Sequence, residues 1–176
     1  MLTIRCKDVT AAGPIGFIGT NAPELKTRLL FHDRFIGICR AGHPLLSEPG
    51  VTAERYAGYP HVIVSRKRQF IGPVDDALAQ LGLRRTVVMV VPGYANAMQV
   101  VRNSDLIGLV PLSSFGKGAT STTAMSTGLQ HFERPVPTPP IKVSTIWHPR
   151  LHADPAHRWL RKTILAVCKS APLVNE

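Results

Sequence analysis

Two loops hold the residue types suited to gripping a small anion. Ser65-Arg66-Lys67-Arg68-Gln69-Phe70-Ile71 follows the β-branched run His61 to Val64 and precedes a helix opening at Gly72-Pro73. Pro92-Gly93-Tyr94-Ala95 follows a second such run, Thr86 to Val91, and opens another helix. In a parallel α/β sheet, ligands gather at the carboxyl ends of strands. There the first amides of the next helix are free to donate, and the helix dipole favours negative charge. The candidate ligand-binding residues are therefore Ser65, Arg66, Arg68, Phe70, Pro92, Gly93 and Tyr94. Arg66 and Arg68 suit a carboxylate, while Phe70 and Tyr94 would serve as walls. A plainer reading stands beside this one, with Arg66, Lys67 and Arg68 as a solvated basic loop and the two rings as ordinary core aromatics.

Other chemistry finds less support. His148, His152, Asp154 and His157 are metal-ligand types close in sequence. Asp154-Pro155, however, reads as a helix start with Asp as N-cap and Pro at the first helical position. Pro149 and Pro155 constrain the backbone without converging the imidazoles, so no metal is expected. His43 before Pro44 fits a turn better than a catalytic base. An acidic pair, a Ser-His-Asp spacing and a Gly-rich phosphate loop are all missing from the pattern, which leaves an enzyme little to stand on and implies no cofactor.

The elements that must position the two loops follow from periodicity. Phe35 to Cys39 is a short strand closed by a Gly/Pro turn, and Thr52 to Ala57 makes a short helix that Gly58 and Pro60 stop. The helix from Pro73 has Asp75 and Asp76 at the positive end of its dipole and Gly82 as its stop. Thr86 to Val91, continuously apolar and β-branched apart from its first residue and Met89, reads as a strand buried on both faces. Tyr94, Ala97, Met98 and Val101 fall at helical spacing, and Leu106 to Val110 is the next strand. Alternating strands and helices at this spacing predict βαβ units and a mainly parallel sheet. Residues 116–128, small and polar, read as a mobile surface loop, with a short helix around Ser113 to Gly116 as the alternative at its start. The run Pro135 to Pro140 leads into a strand over Ile141 to Trp147. The last helix has Leu160, Ile164, Val167 and Cys168 as its core face.

Length and charge bound these readings. A chain of 176 residues makes one ordinary domain or two small subdomains. Twenty-one Lys and Arg against eleven Asp and Glu give a net charge of +10, which raises a nucleic-acid hypothesis. The charges at 66–68, 84–85, 158, 161 and 162 are scattered over separate elements, with no helix-turn-helix signature or aromatic–basic platform. A basic solubilising surface is the preferred reading. The N-terminus lacks the pattern of a signal peptide, no apolar run is long enough for a bilayer, and Cys6, Cys39 and Cys168 are isolated. Cytoplasmic location with reduced thiols is expected.

Several segments together resemble the effector-binding domain of LysR-type transcriptional regulators. They are Arg34 to Arg40 with Gly42-His-Pro-Leu45, Pro60 to Val64, Val74 to Leu78 with Leu81-Gly-Leu-Arg84, and Val91-Pro-Gly-Tyr94 through Asp105-Leu-Ile-Gly108 to Pro111. Trp147-His-Pro-Arg150 with Asp154 to Arg161 is the most distinctive, and the likeness spans roughly residues 24–169. The resemblance implies an α/β fold of the type 2 periplasmic-binding-protein kind, with two subdomains and a small effector in the cleft between them. Residues 29–112 would form the second subdomain, and 1–28 with 113–176 an incomplete first one. Both candidate loops would face the cleft. The family's helix-turn-helix is absent, so no direct DNA contact is expected of this stretch, and homo-oligomers are. Gly16-Phe-Ile-Gly19 departs from the family pattern, and a truncated or frame-shifted start would account for that. The function so implied is the ligand-sensing portion of a regulator. Its rivals are a stand-alone small-solute-binding module, a direct nucleic-acid-binding basic protein and, more distantly, an enzyme.

Overall fold

The computed structural model describes residues 2–7 (backbone only), 25–65, 71–115 and 126–170. Among these the strands are β1 (Leu2–Lys7), β2 (Lys26–Asp33), β3 (Phe35–Arg40), β4 (Pro60–Val64), β5 (Thr86–Val91), β6 (Ile107–Pro111), β7 (Leu129–Phe132) and β8 (Ile141–Trp147). The α-helices are α1 (Ala53–Gly58), α2 (Pro73–Gln80), α3 (Tyr94–Arg102), α4 (Leu112–Phe115) and α5 (Pro155–Ser170).

The strands form two sheets. One is three-stranded and antiparallel, in the order β1-β8-β2, and the other is five-stranded, in the order β5-β4-β6-β3-β7. The expected βαβ core is present, since β4 pairs in parallel with both β5 and β6. Most of its local signals also act as read. Gly82 takes a positive φ of 71° just beyond α2, whereas Thr52, read as the first residue of α1, caps that helix instead, its hydroxyl accepting from the Arg55 amide. Ala97, Met98 and Val101 are the buried stripe of α3.

The expected mainly parallel sheets are not found: the three-stranded sheet is antiparallel, and the five-stranded one is mixed, because β3 pairs antiparallel with both β6 and β7. The physical reason lies at Arg34. β2 leads through this single residue into β3, and the Leu112 amide at the carboxyl end of β6 donates to the Arg34 carbonyl at 2.8 Å. β3 thus enters at the carboxyl edge of the parallel strands and must run against them. β7, placed with the first subdomain by sequence, is hydrogen-bonded into the five-stranded sheet, so the return to the other sheet runs through 133–140.

Two further expectations change. β5 is an edge strand instead of one buried on both faces, and Val88 and Met89 are 53% and 41% exposed. A continuous apolar run marks a strand but cannot tell a central position from an edge. The core face assigned to α5 is only half-buried at Leu160, Ile164 and Cys168, and Val167 is exposed. That helix packs against β2 of a narrow sheet, which offers too little surface to enclose it.

The five-stranded sheet is covered on both faces. Ile36, Ile38, Val62 and Val110 pack with α3 on one side. Cys39, Ile107 and Phe132 pack with Tyr56 of α1 and with Val74 and Leu78 of α2 on the other. Gly37 is required by this packing, since a Cβ there would sit 2.3 Å from the Phe132 ring. The 116–128 loop lies mostly outside the described residues, and Ser126 to Gly128 form the turn into β7.

Candidate functional site

Consecutive helices on opposite faces of a parallel sheet open a crevice at the carboxyl ends of the strands that feed them. The chain leaves β4 toward α2 on one face and leaves β5 toward α3 on the other. The crevice therefore lies between the ends of β4 and β5, the two positions singled out in the sequence. The Ser65 amide donates to the Val91 carbonyl at 3.0 Å, which holds the two strand ends together. Ser65 is buried, Gly93 and Tyr94 are half-buried, and Pro92 is exposed. Gly93 caps α3 in an extended conformation and brings no side-chain acceptor to the first turn. A ligand with acceptor oxygens can take that place. Arg66, Arg68 and Phe70 lie outside the described residues.

Tyr94 joins the two sheets. It packs against the α3 side of the five-stranded core and also against Ile141 and Val143 of β8, with Leu30, Phe31 and Phe35 around them. The crevice consequently opens toward the three-stranded sheet. A second tie lies nearby at the β2–β3 crossing, where Asp33 is buried. Its carboxylate accepts from the Arg34 amide at 2.7 Å, the Ser113 hydroxyl at 2.5 Å and the Ser113 amide at 3.4 Å. Arg34 in turn pairs with Glu133 where the chain starts back. Sequence reading missed this cluster, since Asp33 and Ser113 are eighty residues apart and neither belongs to a local motif.

At the start of α2 sits an ionic cluster that was also missed. The Arg85 side chain is only 2% exposed and grips Asp75 through two hydrogen bonds of 2.8 Å each. Asp75 also accepts from the Gly72 amide at 2.6 Å, so the pair fixes the residue where the candidate loop rejoins α2. Burial works against both charges, but the mutual hydrogen bonds prevail: Asp75 is held below its ordinary pKa and Arg85 above. Tyr56, enclosed beside them, is pushed up to about 12 by burial. His61 is fully buried and donates from Nε2 to the Tyr56 carbonyl at 3.0 Å, while its Nδ1 has no hydrogen-bond partner. Burial, and then the Arg85 charge, push it down to about 4. Asp75 was read from sequence only as a dipole partner, and Arg85 looked like half of a surface basic pair.

Three further histidines are engaged structurally. His43 accepts from the Leu45 amide at 3.0 Å, and its Nε2 faces the Asp105 carbonyl at 3.2 Å. His148 accepts from the Arg150 amide, and Asp154 caps α5 through the His157 amide at 2.8 Å. His152 stacks on Trp147 and accepts from its indole N–H at 3.3 Å. Among the described residues no group of three His, Cys, Asp or Glu could hold a metal ion. None of their helices is long and apolar enough to cross a membrane.

Two α/β sheets with a crevice between them, lined at strand ends and helix starts, define a small-ligand-binding domain of the periplasmic-binding-protein kind. The particular family follows from comparison: residues 11–169 match the LysR substrate binding domain, and the chain belongs to that family. The match reaches further toward the N-terminus than the segments recognised by eye. The HTH-type transcriptional regulator SyrM of Rhizobium meliloti (strain 1021) is 35% identical over 161 residues, covering 91% of this chain and 45% of that protein. The chain spans less than half the length of the curated relatives it matches. Among solved structures, the Synechocystis PCC6803 CcmR regulatory domain in complex with 2-PG aligns with a TM-score of 0.67 at 10% identity, covering 97% of this chain and 74% of that one. The effector binding domain of QuiR in complex with shikimate aligns at 0.64 and 13%, covering 88% and 70%. These two likenesses concern the fold. The family is a sensing domain of transcriptional regulators and not an enzyme family.

Proposed function

We propose that this chain is the ligand-sensing portion of a LysR-type regulator and binds a small anionic effector between its two sheets. The observation that carries the reading is the position of Tyr94. It opens α3 directly after Gly93, which brings no capping side chain, and packs at once on both sheets, so a ligand at the α3 start would touch the contact that sets their relative placement. In this reading Ser65, Pro92, Gly93 and Tyr94 line the site, and Arg66, Arg68 and Phe70 complete it from the adjoining loop. Residues 29–112, with β7 added, act as one subdomain, and the three-stranded sheet with α5 belongs to the other. Effector binding biases the angle between them, which a complete regulator passes to its DNA-binding arms. Sequence-specific base recognition lies with those arms. The protein works in the cytoplasm as a homo-oligomer.

The bound shikimate of QuiR and 2-PG of CcmR support the choice of small oxygen-rich ligands as first probes. Titration calorimetry with shikimate, 2-PG and a panel of small aromatic and aliphatic carboxylates tests the proposal. Saturable binding that Tyr94→Ala abolishes is the expected result. Binding unaffected by Tyr94→Ala would move the site elsewhere, and no binding across the panel would refute an anionic effector.

A further inference from the structure

Charge is divided unequally between the two sheets. Among the described residues, those of the five-stranded sheet and its connections (34–65, 71–115 and 126–140) carry seven Arg against six Asp and Glu. All four ion pairs among the described residues lie there. The residues around the three-stranded sheet, 25–33 and 141–169, carry eight Lys and Arg against Asp33 and Asp154. Both of those acids are committed, Asp33 to Ser113 and Asp154 to the α5 cap. The fold thus gathers cations that look scattered along the chain.

Five of these cations are exposed on two elements that pack together. Arg158, Lys162 and Lys169 recur at intervals of four and seven, which places them in one stripe along α5, and all three are exposed. Lys26 and Arg28 are exposed on β2, the strand against which α5 packs, and they alternate onto a single face of it. Their proximity to the helix registers at His152, whose imidazole is held below its ordinary pKa by Lys26 foremost, then by burial and by Arg161 and Arg158. None of the five has an ion-pair partner among the described residues. Beside the stripe stands Trp159, 67% exposed. Arg161 is occupied differently, lying over the Trp147 ring at 4.7 Å and donating to the Leu151 and His152 carbonyls.

We infer that the α5–β2 face, Lys26, Arg28, Arg158, Lys162 and Lys169 with Trp159, is a sequence-independent docking surface for the phosphate backbone of duplex DNA. Three features favour this occupant. Among the described residues the five cations have no ion-pair partner, so phosphates would supply the counter-charges. The stripe from residue 158 to 169 runs about 16 Å on a rigid helix, a length comparable to several phosphate spacings along a strand. An anionic membrane fits less well, because a helix lying in lipid turns a broad apolar face outward. Here Trp159 and Val167 are the only large exposed apolar residues of α5, and the stripe faces out with Ala166 between them. Such a face adds no base discrimination; it holds DNA against the sensing domain.

The test uses the whole 176-residue chain and fluorescence anisotropy with a short labelled duplex of arbitrary sequence. If five phosphates are engaged, log K falls against log salt with a slope of about −4.5, and a fourfold rise in salt weakens binding roughly 500-fold. Lys162→Gln should flatten the slope by about 0.9, whereas Arg84→Gln, an equal loss of charge on the other sheet's side, should leave it unchanged. Both positions are exposed, and circular dichroism checks that each variant folds. Trp159 emission should become protected from iodide when the duplex is added. Absence of duplex binding at low salt would overturn the inference, as would equal effects of Lys162→Gln and Arg84→Gln. So would a Trp159 response to phosphatidylserine vesicles without one to DNA.

Discussion

The buried His61 makes acid stability the most quantitative consequence of this structure. Its imidazole is neutral in the folded protein, where the pKa is about 4, and ordinary in the unfolded chain, near 6.5. Between those values the unfolded chain binds more protons, so stability rises with pH across the window and is lost as pH falls through it. The loss begins near pH 6.5 and levels off near pH 4. Linkage over the two pKa values gives a penalty of about 2.5 kcal/mol at pH 4.5 relative to pH 7. The perturbation that isolates it is His61→Gln, which keeps a donor for the Tyr56 carbonyl and does not titrate. Urea unfolding at both pH values measures the effect, and the midpoint of the native chain should fall by roughly 1 M more than that of the variant. If the two proteins lose equal stability over this window, the buried neutral histidine is not what sets the acid limb.

Other perturbations have distinct signatures. Gly37→Ala should destabilise by about 1–3 kcal/mol in urea unfolding, because the new methyl meets the buried Phe132 ring. Arg85→Met should cost about 1–3 kcal/mol by leaving the half-buried Asp75 without its cation, and replacing Asp75 as well should recover part of that loss. Ser113→Ala should cost about 2 kcal/mol and speed hydrogen exchange at the Leu112 amide, since the buried Asp33 carboxylate loses its shortest donor.

The parts legible in the sequence were those governed by local chemistry. The Asp154 cap, the Gly82 stop and the apolar stripe of α3 each depend on neighbours within a few residues. The crevice was legible too, because strand-then-helix at two successive places fixes where ligands gather. What stayed hidden depends on distant partners. The edge position of β5 is invisible in a run of apolar residues, and the antiparallel course of β3 follows from where the chain enters the sheet. Asp33 with Ser113 and Asp75 with Arg85 are pairs made by folding, and the charges of β2 and α5 form one face only once those elements pack. The family resemblance added the two-sheet architecture, which periodicity alone could not supply.

The central claim is that a small anionic effector sits where the ends of β4 and β5 meet the three-stranded sheet. Amide NMR spectra of the labelled chain, recorded during titration with the carboxylates that bind in calorimetry, test it most directly. The largest shifts are expected at the Ser65, Gly93 and Tyr94 amides, with smaller ones at Ile141 and Val143 across the crevice. Shifts confined to α5 or to the β5 edge, with those three amides unmoved, would contradict it.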